Sequence, residues 1–113
     1  YEHDDARIGQ VYSMTDPYEV TLEPTGNGLL SITHGGVDKG AALQFIQQSY
    51  RIDQKDTASF GDYVNDLSLY GKSGISVAMG NAAAENLIEA NFITLSNEED
   101  GIAAFLEKRC LTV

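Results

Sequence analysis

The fold of this protein is decided by residues 59–82, SFGDYVNDLSLYGKSGISVAMGNA. A short apolar run opens this stretch and ends at an acidic turn that holds Asp62, Asn65 and Asp66, and a second apolar run at 75–79 ends at glycine and asparagine. Short apolar runs that alternate with helical segments predict βα units around a parallel sheet. In such sheets, ligands bind beyond the carboxyl ends of the strands. The acidic turn is therefore a candidate site.

The alternation of strands and helices continues on both sides of this stretch. Ser96 followed by Glu99 fits a capping box, which predicts the start of a last helix. Together these patterns predict an α/β fold with a parallel sheet. We expect strands at 57–61, 75–79 and 92–95, and helices at 39–50, near 64–70, around 83–90 and after residue 96.

The first of these helices has a clear predicted start. Asp38 stands directly before it and can act as its N-cap. Within the helix, Ala42, Phe45, Ile46 and Tyr50 approximate one apolar face.

Before this helix, the sequence predicts a pair of strands. Apolar and polar residues alternate at 18–23, and an apolar run follows at 29–33. Between them lies a turn in which Gly26 and Gly28 are free to adopt positive φ, so we expect a hairpin or a pair of strands at the start of the chain. Upstream, QVYSM at 10–14 is interpreted as a weak strand.

The composition suits one small globular domain without a nucleic-acid partner. A chain of 113 residues buries roughly 65% of its unfolded surface. The formal net charge is −10, with only seven Lys and Arg residues, and phosphate-backbone binding needs basic residues. The simplest interpretation of the acidity is a well-solvated surface, and the sharper alternative is that part of it binds a cation.

Cysteine content and hydropathy suggest a compartment. Cys110 is the single cysteine, which excludes an internal disulfide and suits a reducing environment. No apolar run approaches the ~20 residues that span a bilayer. We therefore expect a cytoplasmic protein without membrane contact. The chain opens YEHDDAR without a Met, which we interpret as a fragment of a longer protein.

The acidic turn has the chemistry of a magnesium site. Mg²⁺ prefers oxygen ligands, usually one or two protein carboxylates together with water and substrate phosphate. Lys39, at the start of a predicted helix, could hold that phosphate and screen its charge. For the turn and for Lys39 alike, a solvated helix start is the plainer alternative, and residue types alone leave both open.

Four motifs in order make the chain recognisable. Over roughly residues 29–108 it resembles the C-terminal part of Cof-like phosphatases of the haloacid dehalogenase (HAD) superfamily. The motifs are DKGAAL at 38–43, SFGDYVND at 59–66, GISVAMGNA at 74–82 and SNEEDGIAAFLEK at 96–108.

The resemblance implies a partial Rossmann-like α/β core preceded by the last strands of an α/β cap. Residues 1–30 would be the end of the cap and residues 31–113 the C-terminal half of the core. It also implies Mg²⁺-dependent phosphoryl transfer through an aspartyl-phosphate intermediate. The substrates would be small phosphorylated metabolites such as sugar phosphates.

Individual residues take roles from the same resemblance. Lys39 looks like the lysine that steadies the nucleophile and the phosphate. Asp62 looks like a Mg²⁺ ligand, and Asp66 like its partner, which positions the metal shell and the lysine. Asn65 is similar to an asparagine that contacts phosphate near the metal, and Asn81 to one that shapes the loop beside the site.

The sequence departs from the family pattern in two places. Tyr63 stands where the family commonly has Gly or another small residue, and its ring could narrow the site or point outward. More importantly, the D-x-D-x-T motif that carries the nucleophilic and the acid/base aspartates has no counterpart ahead of Lys39, where Asp4 and Asp5 are adjacent. The hydroxyl-bearing second motif has no visible counterpart either.

These absences lead to expectations about activity and assembly. The covalent step needs its nucleophile, so the chain alone should be inactive and bind Mg²⁺ weakly. Strand 57–61 would lack the strand with which it pairs in the family, leaving an open edge that favours a homo-oligomer or a complementing polypeptide. A non-catalytic remnant that serves as a binding or assembly module is the alternative. The retained Lys39, Asp62, Asn65 and Asp66 favour the phosphatase fragment.

Overall fold

The computed structural model of the chain describes residues 5–15 and 18–109. Its longest helix has 12 residues, and none of the described helices has the length and apolarity that crossing a membrane requires. In chain order the helices and strands are α1 (Asp5–Thr15), β1 (Val20–Gly26), β2 (Leu29–His34), α2 (Lys39–Tyr50), β3 (Ala58–Gly61), α3 (Leu67–Tyr70), β4 (Ile75–Ala78), α4 (Ala84–Glu89), β5 (Phe92–Ile93) and α5 (Gly101–Arg109), with 3₁₀ turns at Gln54–Asp56, Val64–Asp66 and Asn97–Glu99.

A parallel sheet of three strands, in the order β3-β4-β5, forms the centre of the fold. Its middle strand is the most buried part of the described chain, and Val77 is fully buried. Phe105 of α5 packs on one face, with its ring edge-on to Phe60 at 5.6 Å between centroids. The predicted α/β architecture with parallel strands is therefore confirmed.

The N-terminal strands form the predicted hairpin. β1 and β2 pair antiparallel, and the turn between them has positive φ at Gly26, Asn27 and Gly28. Glycine adopts this conformation without strain, which explains why the turn lies here. The boundary expected between residues 30 and 31 falls inside β2, and the next helix begins at Lys39.

The weak strand predicted at residues 10–14 is wrong, because the structure has a helix there. These residues belong to α1, where Thr15 closes the last turn by donating its hydroxyl hydrogen to the carbonyl of Val11. The short segment lies outside both sheets. A helix satisfies its backbone groups locally, whereas a strand would need a partner.

Helix α2 begins where its cap predicts, since Asp38 accepts a hydrogen bond from the backbone N–H of Ala41 at 2.7 Å. The apolar face formed by Ala42, Phe45, Ile46 and Tyr50 is exposed. Phe45 is 70% exposed and Tyr50 is 74% exposed, whereas the buried positions of the helix include Gln47. Polar contacts decide this orientation.

Those contacts join the other face of α2 to α3 and the turn that follows it. Gly40 donates its N–H to the hydroxyl of Ser68 at 3.0 Å. The amide of Gln47 donates to the carbonyl of Lys72 at 2.8 Å and to the hydroxyl of Thr57 at 3.1 Å. Sequence periodicity could not predict this face because it is defined by partners far along the chain.

The capping box at Ser96 and Glu99 is present, but it closes a 3₁₀ turn rather than starting the last helix. Asp100 then adopts a left-handed conformation with φ of 55°, and α5 begins at Gly101. A Cβ on Gly101 would lie 2.1 Å from the carbonyl oxygen of Leu95. Glycine at position 101 thus allows the first residue of α5 to lie against the backbone of Leu95.

We predict that Gly40→Ala destabilises the fold. A Cβ at this position would lie 2.3 Å from the carbonyl oxygen of Ser68, so α2 and α3 would have to separate. Overpacking of this kind costs about 1–3 kcal/mol in free energy of unfolding, measured by chemical denaturation. Gly71→Ala is the matched control, since its Cβ would have an ordinary 3.9 Å contact with the same oxygen. Equal stability of the two variants would contradict the close approach.

Candidate active site

A cavity of about 210 Å³ opens at the carboxyl ends of β3 and β4. The start of α2 borders it on one side, and the 3₁₀ turn before α5 borders it on the other. Its position is the one at which α/β sheets bind ligands. The lining residues are Lys39, Phe60, Gly61, Asp62, Asp66, Met79, Asn97 and Ile102.

An ion pair between Lys39 and Asp66 lies in this cavity. The ammonium of Lys39 donates to Oδ1 of Asp66, although the two residues are 27 positions apart in sequence. The carboxylate is 7% exposed, whereas the lysine side chain is 50% exposed. Lys39 is the first residue of α2, so the Asp38 cap that starts the helix also places the lysine at the cavity. The lysine can therefore hold Asp66 and still face a ligand.

The second oxygen of Asp66 organises its own loop. Oδ2 accepts the backbone N–H of Asp62 at 2.9 Å and that of Tyr63 at 3.4 Å. Burial raises the pKa of Asp66, but hydrogen bonds from Lys39 and from these N–H groups outweigh burial, so the pKa is lowered from its ordinary value of 3.8. Asp66 is ionised at neutral pH and is committed to positioning.

Asp62 points a carboxylate into the open part of the site. Asp62 is exposed, and its Oδ2 accepts a hydrogen bond from the side-chain amide of Asn97 at 3.3 Å. The backbone N–H of Asn97 donates in turn to Oδ1 of Asn81 at 2.9 Å. Sequence reasoning missed Asn97. The available signal was its place four residues after the end of β5, at the same edge of the sheet as Asp62.

Asn65 and Tyr63 occupy different places from the charged residues. Asn65 is half-buried in the 3₁₀ turn and does not line the cavity. The ring of Tyr63 turns toward the hairpin, where a Cβ on Gly26 would lie 3.9 Å from its Cε2. Of the two positions open to this ring, the outward one is therefore observed. The structure thus brings together Lys39, Asp62 and Asp66.

The hairpin contributes a carboxylate to the surroundings of this charge cluster. Burial raises the pKa of Glu23, the charges of Asp38 and Asp66 raise it further, and Lys39 lowers it. Glu23 is thus electrostatically coupled to the site although it lies on β1. No sequence pattern indicated this, because the coupling depends on how the hairpin folds over the core.

The donor set fits a hard cation only in part. Asp62 is an exposed oxygen donor of the kind Mg²⁺ prefers, and Mg²⁺ commonly takes one or two protein carboxylates with waters. Both oxygens of Asp66 already accept hydrogen bonds, so direct coordination would displace Lys39 or the loop N–H groups. Within residues 9–15 and 18–109, no three His, Cys, Asp or Glu side chains gather to hold a metal. Asp62 could serve as one ligand to a metal ion whose other ligands come from outside this chain.

Comparison with known proteins identifies the family. The sequence profile of the haloacid dehalogenase-like hydrolases matches residues 2–106. The Bacillus subtilis protein YitU, a 5-amino-6-(5-phospho-D-ribitylamino)uracil phosphatase, is 38% identical over 80 residues, which are 71% of this chain and 30% of that protein.

Several solved structures have a region with the same fold as this chain. A haloacid dehalogenase-like hydrolase from B. subtilis matches with a TM-score of 0.86 and 27% identity, over 97% of this chain and 39% of that one. A sugar phosphatase of HAD subclass IIB matches with a TM-score of 0.82 and 25% identity, over 92% of this chain and 39% of that one. The chain thus spans between 30% and 39% of the length of these proteins. It belongs to the haloacid dehalogenase-like hydrolase family.

Proposed function

We propose that this chain supplies the metal- and phosphate-binding half of the active site of a Mg²⁺-dependent phosphatase. The observation that carries the proposal is the Lys39–Asp66 ion pair beside the exposed carboxylate of Asp62, all lining one cavity at the carboxyl end of a parallel sheet. The substrates would be small phosphorylated metabolites such as sugar phosphates. The names of two similar proteins, a phosphoribityl-uracil phosphatase and a sugar phosphatase, support that class.

Lys39 would bind the phosphoryl group. Its ammonium is half-exposed, and its bond to Asp66 uses only one of the three N–H donors of a lysine. A positive charge fixed before substrate arrives stabilises charge on phosphoryl oxygens without reorganisation during the reaction. Asp66 would act by positioning Lys39 and the Asp62 loop.

Asp62 would be this chain's ligand to Mg²⁺. A bound Mg²⁺ would neutralise charge on the phosphoryl oxygens and orient them. Asp62 can face such an ion because its backbone is held by Asp66 while its carboxylate is exposed. Asn65, on the same turn, would contact the phosphate of a substrate that extends above the cavity.

The attacking carboxylate would come from polypeptide outside this sequence. No two aspartates among the 113 residues are spaced as D-x-D. We assign residues 1–30 to the end of a cap and residues 31–113 to the C-terminal half of a catalytic core, working in the cytoplasm. Without a nucleophile the covalent step cannot occur, so these residues alone would not turn over substrate.

The open edge of the sheet is where further polypeptide would pair. Thr57 and Gly61 direct their carbonyls to the β4 side, where they accept the N–H groups of Ile75 and Met79. Backbone direction alternates along a strand, so Ala58 and Phe60 direct theirs to the other edge, where no described strand lies. Such an edge is a template for another strand. In the isolated chain, a second copy would take that place.

We predict that the 113-residue chain binds its ligands without turnover. Titration with inorganic phosphate and Mg²⁺, followed by NMR, should shift the backbone signals of Gly61 and Asp62, and a phosphate-release assay should stay at background. Lys39→Ala should remove the phosphate-dependent shift, and Asp62→Asn the Mg²⁺-dependent one. Glu107→Gln, an exposed change on α5, is the control. Metal-dependent turnover by this chain alone would refute the divided site.

We predict that Asp66→Asn destabilises the fold in a pH-dependent way. Because folding lowers the pKa of Asp66, its ionised form stabilises the fold above the ordinary pKa of 3.8, and that stabilisation is lost as pH falls through the lower folded value. Loss of the charge should cost about 1–3 kcal/mol in free energy of unfolding at neutral pH. The difference from the unaltered chain should shrink in acid.

Chemical denaturation at several pH values measures this difference. Asp53→Asn is the control, since Asp53 is exposed and its side chain makes no cap hydrogen bond. A destabilisation by Asp66→Asn that stays constant from neutral to acid pH would show that the charge of Asp66 is not what holds the loop.

We predict concentration-dependent self-association of the chain through the open edge of β3 and the exposed face of α2. Phe45→Glu should weaken it, measured by light scattering, with little effect on folding because Phe45 is 70% exposed. Ile88→Glu, at a 79% exposed position on α4, should leave association unchanged. A monomer over a wide concentration range would argue against this surface.

A further inference from the structure

A buried asparagine lies directly behind the loop that carries Asp62. Asn86 of α4 is 0% exposed. Its amide donates to the carbonyl of Tyr63 at 2.8 Å and to the hydroxyl of Tyr70 at 3.1 Å. Both contacts reach elements distant in sequence, because Asn86 follows Tyr63 by 23 positions. Neither Asn86 nor Tyr70 lines the cavity, so their role cannot be direct contact with a ligand there.

Tyr70 passes this contact on to the end of β3. Its hydroxyl accepts from Asn86 and donates to the carbonyl of Gly61 at 3.2 Å. The same carbonyl also accepts the N–H of Met79 at 3.0 Å. A hydroxyl can donate and accept at once, so the three residues form one continuous path of hydrogen bonds.

The loop is therefore held from two sides. On the cavity side, Asp66 accepts the N–H groups of Asp62 and Tyr63. On the far side, Tyr70 and Asn86 donate to the carbonyls of Gly61 and Tyr63 that flank Asp62. With backbone groups on both sides of Asp62 bonded, the direction of its carboxylate is restricted.

The cost of burying Asn86 points to the same role. Its Oδ1 is buried and has no hydrogen-bond partner among the described residues. A buried acceptor without a partner destabilises a fold, whereas an apolar side chain of similar size would avoid that cost. The two hydrogen bonds that Asn86 donates offset this cost.

We propose that Tyr70 and Asn86 are positioning residues that hold the Gly61–Tyr63 loop and so direct Asp62 into the cavity. This inference rests on the proposed function of Asp62 as a metal ligand. Burial raises the pKa of Tyr70, the hydrogen bond from Asn86 lowers it, and the charges of Asp66 and Asp62 raise it, with a net increase above the ordinary 10.0. The phenol therefore keeps its proton and remains a donor to Gly61 at neutral pH.

Amide hydrogen exchange of the full 113-residue chain, measured by NMR, tests the proposal. In Tyr70→Phe, the N–H groups of Asp62 and Tyr63 should exchange about three- to tenfold faster, as expected for the loss of one hydrogen bond that restrains a local opening. The N–H of Val77 in the central strand should change less. Asn86→Leu should give the same pattern. Tyr50→Phe removes a hydroxyl from a 74% exposed side chain and should change none of these rates.

The outcomes separate a positioning role from a structural one. Faster exchange confined to the loop supports the proposal, while uniform acceleration that includes Val77, or no acceleration, overturns it. A Mg²⁺ titration of the same variants adds a second measurement, in which Tyr70→Phe should weaken the Mg²⁺-dependent shift at Asp62 several-fold. If the unaltered chain shows no such shift, the proposed metal role fails, while the exchange data still decide whether the loop is held.

Discussion

The bond between Lys39 and Asp66 is the constraint on which the site depends. It joins the first residue of α2 to the loop after β3, and the same carboxylate orders that loop through backbone N–H groups. A buried carboxylate without a cation would be costly, and a loose lysine would have no fixed direction. Lys39 thus offsets the cost of burying the carboxylate, and Asp66 fixes the direction of the lysine. The pair places the ammonium group at the carboxyl end of the sheet.

Asp66 and Asp62 differ in burial and therefore in what their carboxylates can do. Asp66 is nearly buried, has both oxygens engaged and acts as a fixed part of the scaffold. Asp62 is exposed and keeps a carboxylate available. Behind them, Tyr70 and Asn86 hold the carbonyl side of the same loop. The chemistry proposed for this site thus depends on how rigidly one short loop is held.

The chain has an open sheet edge and exposed apolar side chains, and its relatives are longer. The sheet has only three strands in the described residues, β3 lies at its edge, and Phe45 and Tyr50 of α2 are exposed. Similar proteins extend well beyond the region matched here. An open strand edge can pair with an added strand, whether that strand belongs to the same protein or to a second copy, and exposed apolar side chains are typical of contact surfaces.

The sequence by itself determined the order of strands and helices from residue 18 onward, the hairpin turn and the Asp38 cap, because local periodicity, turn residues and cap chemistry act over a few residues. Lys39, Asp62 and Asp66 were predicted to act as one group through motif order and the resemblance to a known family. Tertiary structure decided that α2 buries Gln47 rather than Phe45, that residues 10–14 are helical, and that Asn97 and Asn86 donate hydrogen bonds to Asp62 and Tyr63. Each of these depends on hydrogen-bond partners distant in sequence or on the absence of a neighbouring strand, which local patterns do not contain.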